Sequence, residues 1–262
     1  MNISISNIAW SNAQDSDMYS YLKVEELTGL EIAPTRIFPQ GPYENIASAR
    51  KFADELFKVF GLIIPSMQSI WYGRNENIFG SNEERRILID YTKKAIDFAE
   101  AIECSNLVFG CPRNRSYTME KDIDMAGSFF LELGEYAKNH HTVLSIEANP
   151  VIYGTNFINT TQEAFSFTRD VNSEGFKVNI DFGTILHNQE SLEPIEENIH
   201  LVNHIHISEP NLVVIEKRKL HNQLAEILKK KNYQGFVSIE MGKQDNLVLL
   251  KDVINYVKEV FA

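Results

Sequence analysis

A single (β/α)8 barrel of the α/β class, spanning residues 1–262, is the fold this sequence predicts, and two observations carry the prediction. The first is alternation. Eight short apolar runs alternate with eight stretches of helical character, the pattern of a parallel sheet with helical returns. The second is a recurring tripeptide: Ser145-Ile146-Glu147, Asn179-Ile180-Asp181, His204-Ile205-His206 and Ser238-Ile239-Glu240 each read polar residue, isoleucine, possible metal ligand. Those ligands are spaced 34, 25 and 34 residues apart. A repeat of ~30 residues is what a strand and a returning helix need. Residues two apart on a strand share a face, so the four side chains arrive together at C-terminal strand ends, where barrels keep their reactive groups.

In order, the first strand is predicted at Asn2–Ala9 and a short helix at Met18–Leu27. A second strand follows at Gly29–Ala33 (GLEIA), then a helix over Pro42–Phe60 on the spacing of Ile46, Phe52, Leu56 and Phe60. The third strand is the apolar run 62–70, LIIPSMQSI. Trp71–Gly80 (WYGRNENIFG) is a long loop bounded by glycine, a candidate lid. Ser81 and Glu84 have capping-box spacing for a helix reaching Glu103. Strand and helix then alternate: Asn106–Cys111, Tyr117–His140, Val143–Ala148, a helix from Thr160 or Thr161 to Asp170, Lys177–Phe182, Ser191–Ile199, His204–Ser208, His221–Lys231, Gly235–Glu240 and Asn246–Val260. No linker or low-complexity stretch divides the chain. A doubly wound open sheet would place a glycine-rich turn after the first strand, and Trp10-Ser11-Asn12-Ala13-Gln14 supplies none.

Composition narrows the function classes. A net charge of −11 argues against a nucleic-acid partner, whose phosphates call for a basic surface. No apolar run approaches the ~20 residues of a membrane span. The first residues have neither a basic start nor an apolar core of the signal-peptide kind, so a cytoplasmic location is expected. Cys104 and Cys111 lack metal-type spacing. Self-association into a homo-oligomer is left open.

Three carboxylates and one imidazole, Glu147, Asp181, Glu240 and His206, make an oxygen-rich site that suits Mn²⁺ or Mg²⁺, with Co²⁺ or Zn²⁺ as substitutes. Without a cation such carboxylates repel one another and are pushed to protonate. A lone carboxylate at a strand end is ordinarily a solvated or capping residue. Four possible ligands sharing one parity on successive strands outweigh that reading. His204, one layer below His206, is expected to be structural and bonded to another inward polar group.

At these residues the chain resembles a known family. SIEANP, NIDFGT, HIHISEP and FVSIEM look like the xylose isomerase-like barrels, the sugar phosphate isomerase/epimerase superfamily that also includes inosose dehydratase and endonuclease IV. The resemblance implies that Glu147, Asp181, His206 and Glu240 are the metal ligands, with Glu147 and Glu240 as the acid–base pair of the ketose epimerases. The chain also departs from those epimerases. Thr184 stands where they carry a histidine, with His187 three residues on; Gly154-Thr155 stands near their second glutamate; Asn211-Leu212-Val213 occupies the loop of their arginine.

Substrate contacts are expected from strand-end loops. Arg113 and Arg115 can clamp a carboxylate or phosphate, although loop arginines are commonly solvated. Trp10, Trp71 and Tyr72 can wall a sugar ring or simply pack at the barrel mouth. Gln68, Asn149, Asn156, His187 and Glu209 are candidate hydroxyl binders. The function expected is metal-dependent isomerisation or epimerisation of a sugar or sugar derivative through an enediolate. Its rivals are a dehydratase that expels a β-hydroxyl from the same enediolate, an endonuclease IV-like nuclease disfavoured by charge, and a non-catalytic barrel.

Overall fold

The computed structural model describes residues 1–119 and 123–262. Seven strands, β1 (Asn2–Ser6), β2 (Gly29–Glu31), β3 (Leu107–Phe109), β4 (Leu144–Glu147), β5 (Phe176–Asp181), β6 (Val202–Ile207) and β7 (Phe236–Ile239), form one parallel sheet. Its order is β2-β1-β7-β6-β5-β4-β3. The eighth position is filled by residues 63–67, where Ile63 bridges to Gly29 and Met67 bridges to both Ile32 and Leu107. Met67 N donates to Asn106 O at 2.9 Å and Met67 O accepts from Val108 N at 2.8 Å on the β3 side, and Gln68 N donates to Ile32 O at 2.9 Å on the β2 side, joining the two sheet edges. The run predicted as a third strand is therefore a set of bridges. Pro65 in its middle has no N–H to give a ladder, and Ser69 turns the chain away at φ 55°.

Contacts across the interior confirm the closure. Glu31 on β2 lies 3.0 Å from His206 on β6, although two strands separate them in the sheet. The parity of the strands explains what fills the inside. Ile5, Ile146, Ile180, Ile205 and Ile239 are buried in the apolar core, while the alternate positions are also buried yet polar: Ser4, Ser145, Asn179, His204, His206 and Ser238. A polar barrel interior needs internal partners, and Asn106 and Gln68 provide some. Asn106 Nδ2 donates to Ser66 Oγ, its Oδ1 accepts from Ser145 Oγ, and Gln68 Nε2 donates to Ser6 Oγ.

The returning helices start where local chemistry starts them. α1 is Asp15–Val24, and a short α2, Pro34–Ile37, follows β2. α3 runs Ile46–Phe60, four residues later than expected, because the Asn45 side chain accepts from Ser48 N; Gly61 ends it at φ 72°. α4 (Asn82–Ala101) carries the Ser81/Glu84 capping box, and α6 (Thr161–Val171) carries one from Thr160 and Glu163. α5 is Ile123–Asn139; residues 120–122 of the helix expected from Tyr117 lie outside the described residues. α7 (Phe182–Asn188) was not anticipated and starts directly on Asp181; α8 (Glu193–Asn198), α9 (Lys219–Lys230) and α10 (Leu247–Phe261) complete the set. Among the described residues no helix is long and apolar enough to cross a membrane.

The seating of β5 on α5 is tight. A Cβ on Gly175 would lie 2.0 Å from Gly134 O and 2.7 Å from Lys138 N, both backbone atoms that cannot step aside. Gly175→Ala is expected to cost roughly 1–3 kcal/mol, a fall of about 3–10 °C in Tm for a chain of this size. Thermal melting of the variant beside the parent checks it.

Candidate active site

The polar side chains of β4, β5, β6 and β7 converge at the C-terminal end of the barrel. His206 is fully buried and is the hub. Its Nδ1 lies 3.1 Å from Glu147 Oε2 and 3.1 Å from Glu240 Oε2, and its Nε2 lies 3.0 Å from Glu31 Oε2. Glu147 is held from three further sides: Asn149 Nδ2 donates to Oε1 at 2.8 Å, Asn179 Nδ2 donates to Oε2 at 2.7 Å, and Arg115 Nη2 donates to the Glu147 backbone carbonyl at 2.8 Å. Gly110 leaves room for this carboxylate, since a Cβ there would meet Glu147 Oε1 at 2.9 Å. Asp181 caps α7. Its carboxylate accepts from Gly183 N, Thr184 N and Thr184 Oγ1, and Ser208 Oγ donates to it as well.

With that geometry in place, comparison with known proteins identifies the fold family. Residues 26–260 match the model of the xylose isomerase-like TIM barrel. The chain belongs to that family. No curated protein matches the sequence. Among solved structures, the 3-keto-D-glucoside 4-epimerase YcjR of E. coli is similar with a TM-score of 0.80 and 20% identity, covering 99% of each chain. The D-psicose 3-epimerase of Clostridium cellulolyticum H10, with D-tagatose, is similar with a TM-score of 0.83 at 14% identity, over 100% of this chain and 99% of that one. An L-ribulose 3-epimerase is similar with a TM-score of 0.74 at 13% identity, over 97% and 86%.

In this xylose isomerase-like barrel the ionisable groups are perturbed in opposite directions. Burial works against the charged form of Glu147, but the His206 hydrogen bond and charge, Asn149 and Arg115 outweigh it and hold the carboxyl below its ordinary range. Glu240 is pushed up to about 7, first by burial and then by the Glu147 and Asp181 charges, against the pull of His206. Asp181 is raised by burial and by Glu147. His206, despite its burial, is raised well above an ordinary imidazole by Glu240, Glu31 and Glu147. Buried anions crowding one nitrogen are what a divalent cation relieves. The ligand atoms of Glu147, His206 and Glu240 lie within 4.8 Å of one another, so this donor set fits a hard cation. Asp181 is outside that compact group, its oxygens engaged by the start of α7.

The other predicted site residues divide. Asn149 is in the site, linking Arg115 and Glu147. Gln68 is buried and tied to Ser6 and Ser69. Arg115 and Arg113 do not form a clamp: Arg113 is exposed, whereas Arg115 is fully buried beneath Glu147, with Nε and Nη1 lacking hydrogen-bond partners. Trp10 is buried, donating to Asp15 at 2.8 Å under the Arg36 guanidinium, and Trp71 is buried, donating to Thr92 at 2.8 Å. Both are packing residues, and only Tyr72 of the three aromatics is exposed. Asn156 pairs with the backbone of Tyr117. His187 is exposed on the last turn of α7, and Thr184 occupies the interior in its stead, its single hydroxyl proton within reach of either Ala148 O or Asp181. Glu209 is committed to Arg218, a forked pair at 2.7 and 2.8 Å. The segment suggested as a lid is pinned: Asn114 Nδ2 donates to the carbonyls of Arg74 and Glu76, and Phe79 packs edge-on against Tyr117 and Phe157.

Sequence reasoning missed Glu31. It is fully buried, with Oε2 3.0 Å from His204 Nε2, a close approach that does not make the hydrogen bond His204 was expected to have, since that nitrogen has no partner. Its signal was a carboxylate in the middle of the apolar run GLEIA.

Two outcomes follow from this electrostatic arrangement. Asp181→Asn keeps a capping side chain for α7 while removing a buried charge, so the barrel should stay folded and lose at least tenfold in Mn²⁺ affinity, read by calorimetric titration. The second concerns pH. Glu240 and Asp181 have folded values above their unfolded ones, so the native state binds more protons and stability falls as pH rises. His206, also raised, loses its contribution in the same direction at higher pH. The lowered Glu147 and Glu31 act below this range, their contribution being lost only as pH falls. His204 and His221, both lowered by burial, act in the opposite direction over this window, so the check is a difference: between pH 5.5 and pH 8 chelated Glu240→Gln should lose less melting temperature than the chelated parent.

Proposed function

We propose that the chain is a divalent-metal-dependent isomerase or epimerase of a sugar or sugar derivative, with Glu147 and Glu240 as its acid–base pair. The observation that carries this reading is the convergence of both carboxylates on His206 Nδ1 at 3.1 Å from strands on either side of it. Glu147, Asp181, His206 and Glu240 would hold the cation, Mn²⁺ or Mg²⁺ by donor chemistry, and it would supply charge stabilisation to substrate oxygens. Titratable groups pushed apart by their surroundings mark acid and base assignments. Glu147, kept ionised by Asn149, Asn179 and Arg115, is the base that takes a proton from a carbon beside a carbonyl. Glu240, with a value of about 7, carries a proton near neutrality and returns it to substrate. A keto-sugar or its glycoside as substrate is in keeping with the similar structures, whose names are those of keto-sugar 3-epimerases and a 3-keto-glucoside 4-epimerase.

The test is a pair of variants on a panel of ketoses, aldoses and keto-glycosides. Glu147→Gln and Glu240→Gln should each lower turnover by about 10²–10⁴-fold. In deuterated water, Glu240→Gln should still exchange the substrate hydrogen, and Glu147→Gln should not. A product lighter by one water would assign a dehydratase instead. Turnover at the parent's rate by both variants on a verified substrate would end the proton-transfer reading.

A further inference from the structure

Glu31 has no place in the acid–base scheme, yet it is the most enclosed carboxylate near the site. It ends β2, is fully buried, and reaches across the barrel so that one oxygen, Oε2, stands 3.0 Å from both His206 Nε2 and His204 Nε2. Its other oxygen, Oε1, has no hydrogen-bond partner. A bare carboxylate in such a position is costly, so the His206 contact is that of an anion receiving an imidazole N–H, while His204 Nε2 lies equally near without forming a hydrogen bond. A neutral imidazole carries one proton, and its two nitrogens are not equivalent. Glu147 Oε2 and Glu240 Oε2 at 3.1 Å invite that proton to Nδ1, where it would block a cation. Glu31 invites it to Nε2, which leaves the Nδ1 lone pair facing the two glutamates.

We propose that Glu31 is a positioning residue of the metal site: it holds His206 with its proton on Nε2 and Nδ1 free to ligate. The inference rests on the metal reading above. Glu31, His204 and His206 can also be read as a second cation site, since their ligand atoms lie within 4.8 Å of one another. That arrangement would strip Nε2 of its proton and leave Nδ1 the protonated nitrogen, taking His206 out of the first site. The two arrangements exclude each other at His206, and a single ion per chain is expected.

Metal-free parent, Glu31→Gln, Glu31→Met and Asp181→Asn are titrated calorimetrically with Mn²⁺, and their chelated forms are melted. The parent should bind one ion. Glu31→Met, which removes the acceptor, should bind it about 10–100-fold more weakly, the usual effect of losing a carboxylate behind a ligating imidazole. Glu31→Gln, which keeps an acceptor oxygen without the charge, should recover much of that loss. A merely structural role would lower the melting temperature of the chelated protein and leave the affinity of the folded protein unchanged. Should Glu31→Met not fold, the imidazole nitrogen resonances of His206 in Mg²⁺-loaded parent decide: a proton on Nε2 supports the proposal and a proton on Nδ1 overturns it. Parental affinity in Glu31→Met, or two ions per chain, also overturns it. A parent that binds no Mn²⁺, or an Asp181→Asn variant that binds it as the parent does, removes the metal reading itself and is thereby distinguished from a failure at Glu31.

Discussion

The centre of this barrel is organised by an excess of buried negative charge around one imidazole. Glu147 and Glu240 face one nitrogen of His206 and Glu31 faces the other, with Asp181 close enough to Glu147 and Glu240 for their charges to act on each other. Inside a low-dielectric core each of these charges must be met by donors or neutralised. The surrounding sequence supplies the donors from fixed places: Asn179 from two residues below Asp181, Asn149 from the loop after β4, the first amides of α7, and Ser208 just past β6. This is costly as stability. The apolar layer of isoleucines and phenylalanines between sheet and helices offsets it, including the edge-on cluster of Phe109, Phe129, Phe130 and Phe167.

How much of this could be read from sequence follows from which signals are local. The four tripeptides were legible because strand parity is local and repeated; once Ile146, Ile180, Ile205 and Ile239 go outward to the core, their neighbours must go inward. The eighth strand position was legible as an apolar run but not as bridges, because the effect of Pro65 depends on what lies either side. α7 was overlooked because Asp181 was read only as a ligand, while the same side chain also serves as an N-cap. Arg115 and Glu209 were read as loop residues facing substrate. Their partners lie 32 and 9 residues away in sequence, and no periodic pattern announces them. Glu31 escaped for a different reason: β2 has only three residues and carries its carboxylate without the repeated tripeptide.

The departures from the epimerase pattern acquire physical content in the same way. Thr184 is no gap in the site; its hydroxyl spans Asp181 and Ala148 O, tying the end of β5 to the loop after β4. The loop after β6 is fastened through Glu209 and Arg218, and Asn211 N donates to the Tyr153 hydroxyl at 2.8 Å, joining it to the loop after β4. These ties fasten the rim loops to one another. The strand ends that carry Glu147, Asp181, His206 and Glu240 are thus braced from the neighbouring loops.

The same crosslinks make the two glutamates unequal. Around Glu147 stand two amide donors, and Arg115 grips its backbone, so its charge is matched by fixed partners whatever else enters the site. Glu240 meets only the His206 imidazole among the described residues. Its charge therefore depends on His206 and on whatever positive charge lies beside the pair. Fixed donors favour one protonation state and resist change, whereas a carboxylate with one shared partner exchanges its proton at little cost. The asymmetry arises from the sequence around each strand end. EAN and a buried arginine follow one glutamate's strand or precede it, and MGK follows the other. The inequality between the two carboxyls thus comes from their polar support and not from their identity, both being glutamates.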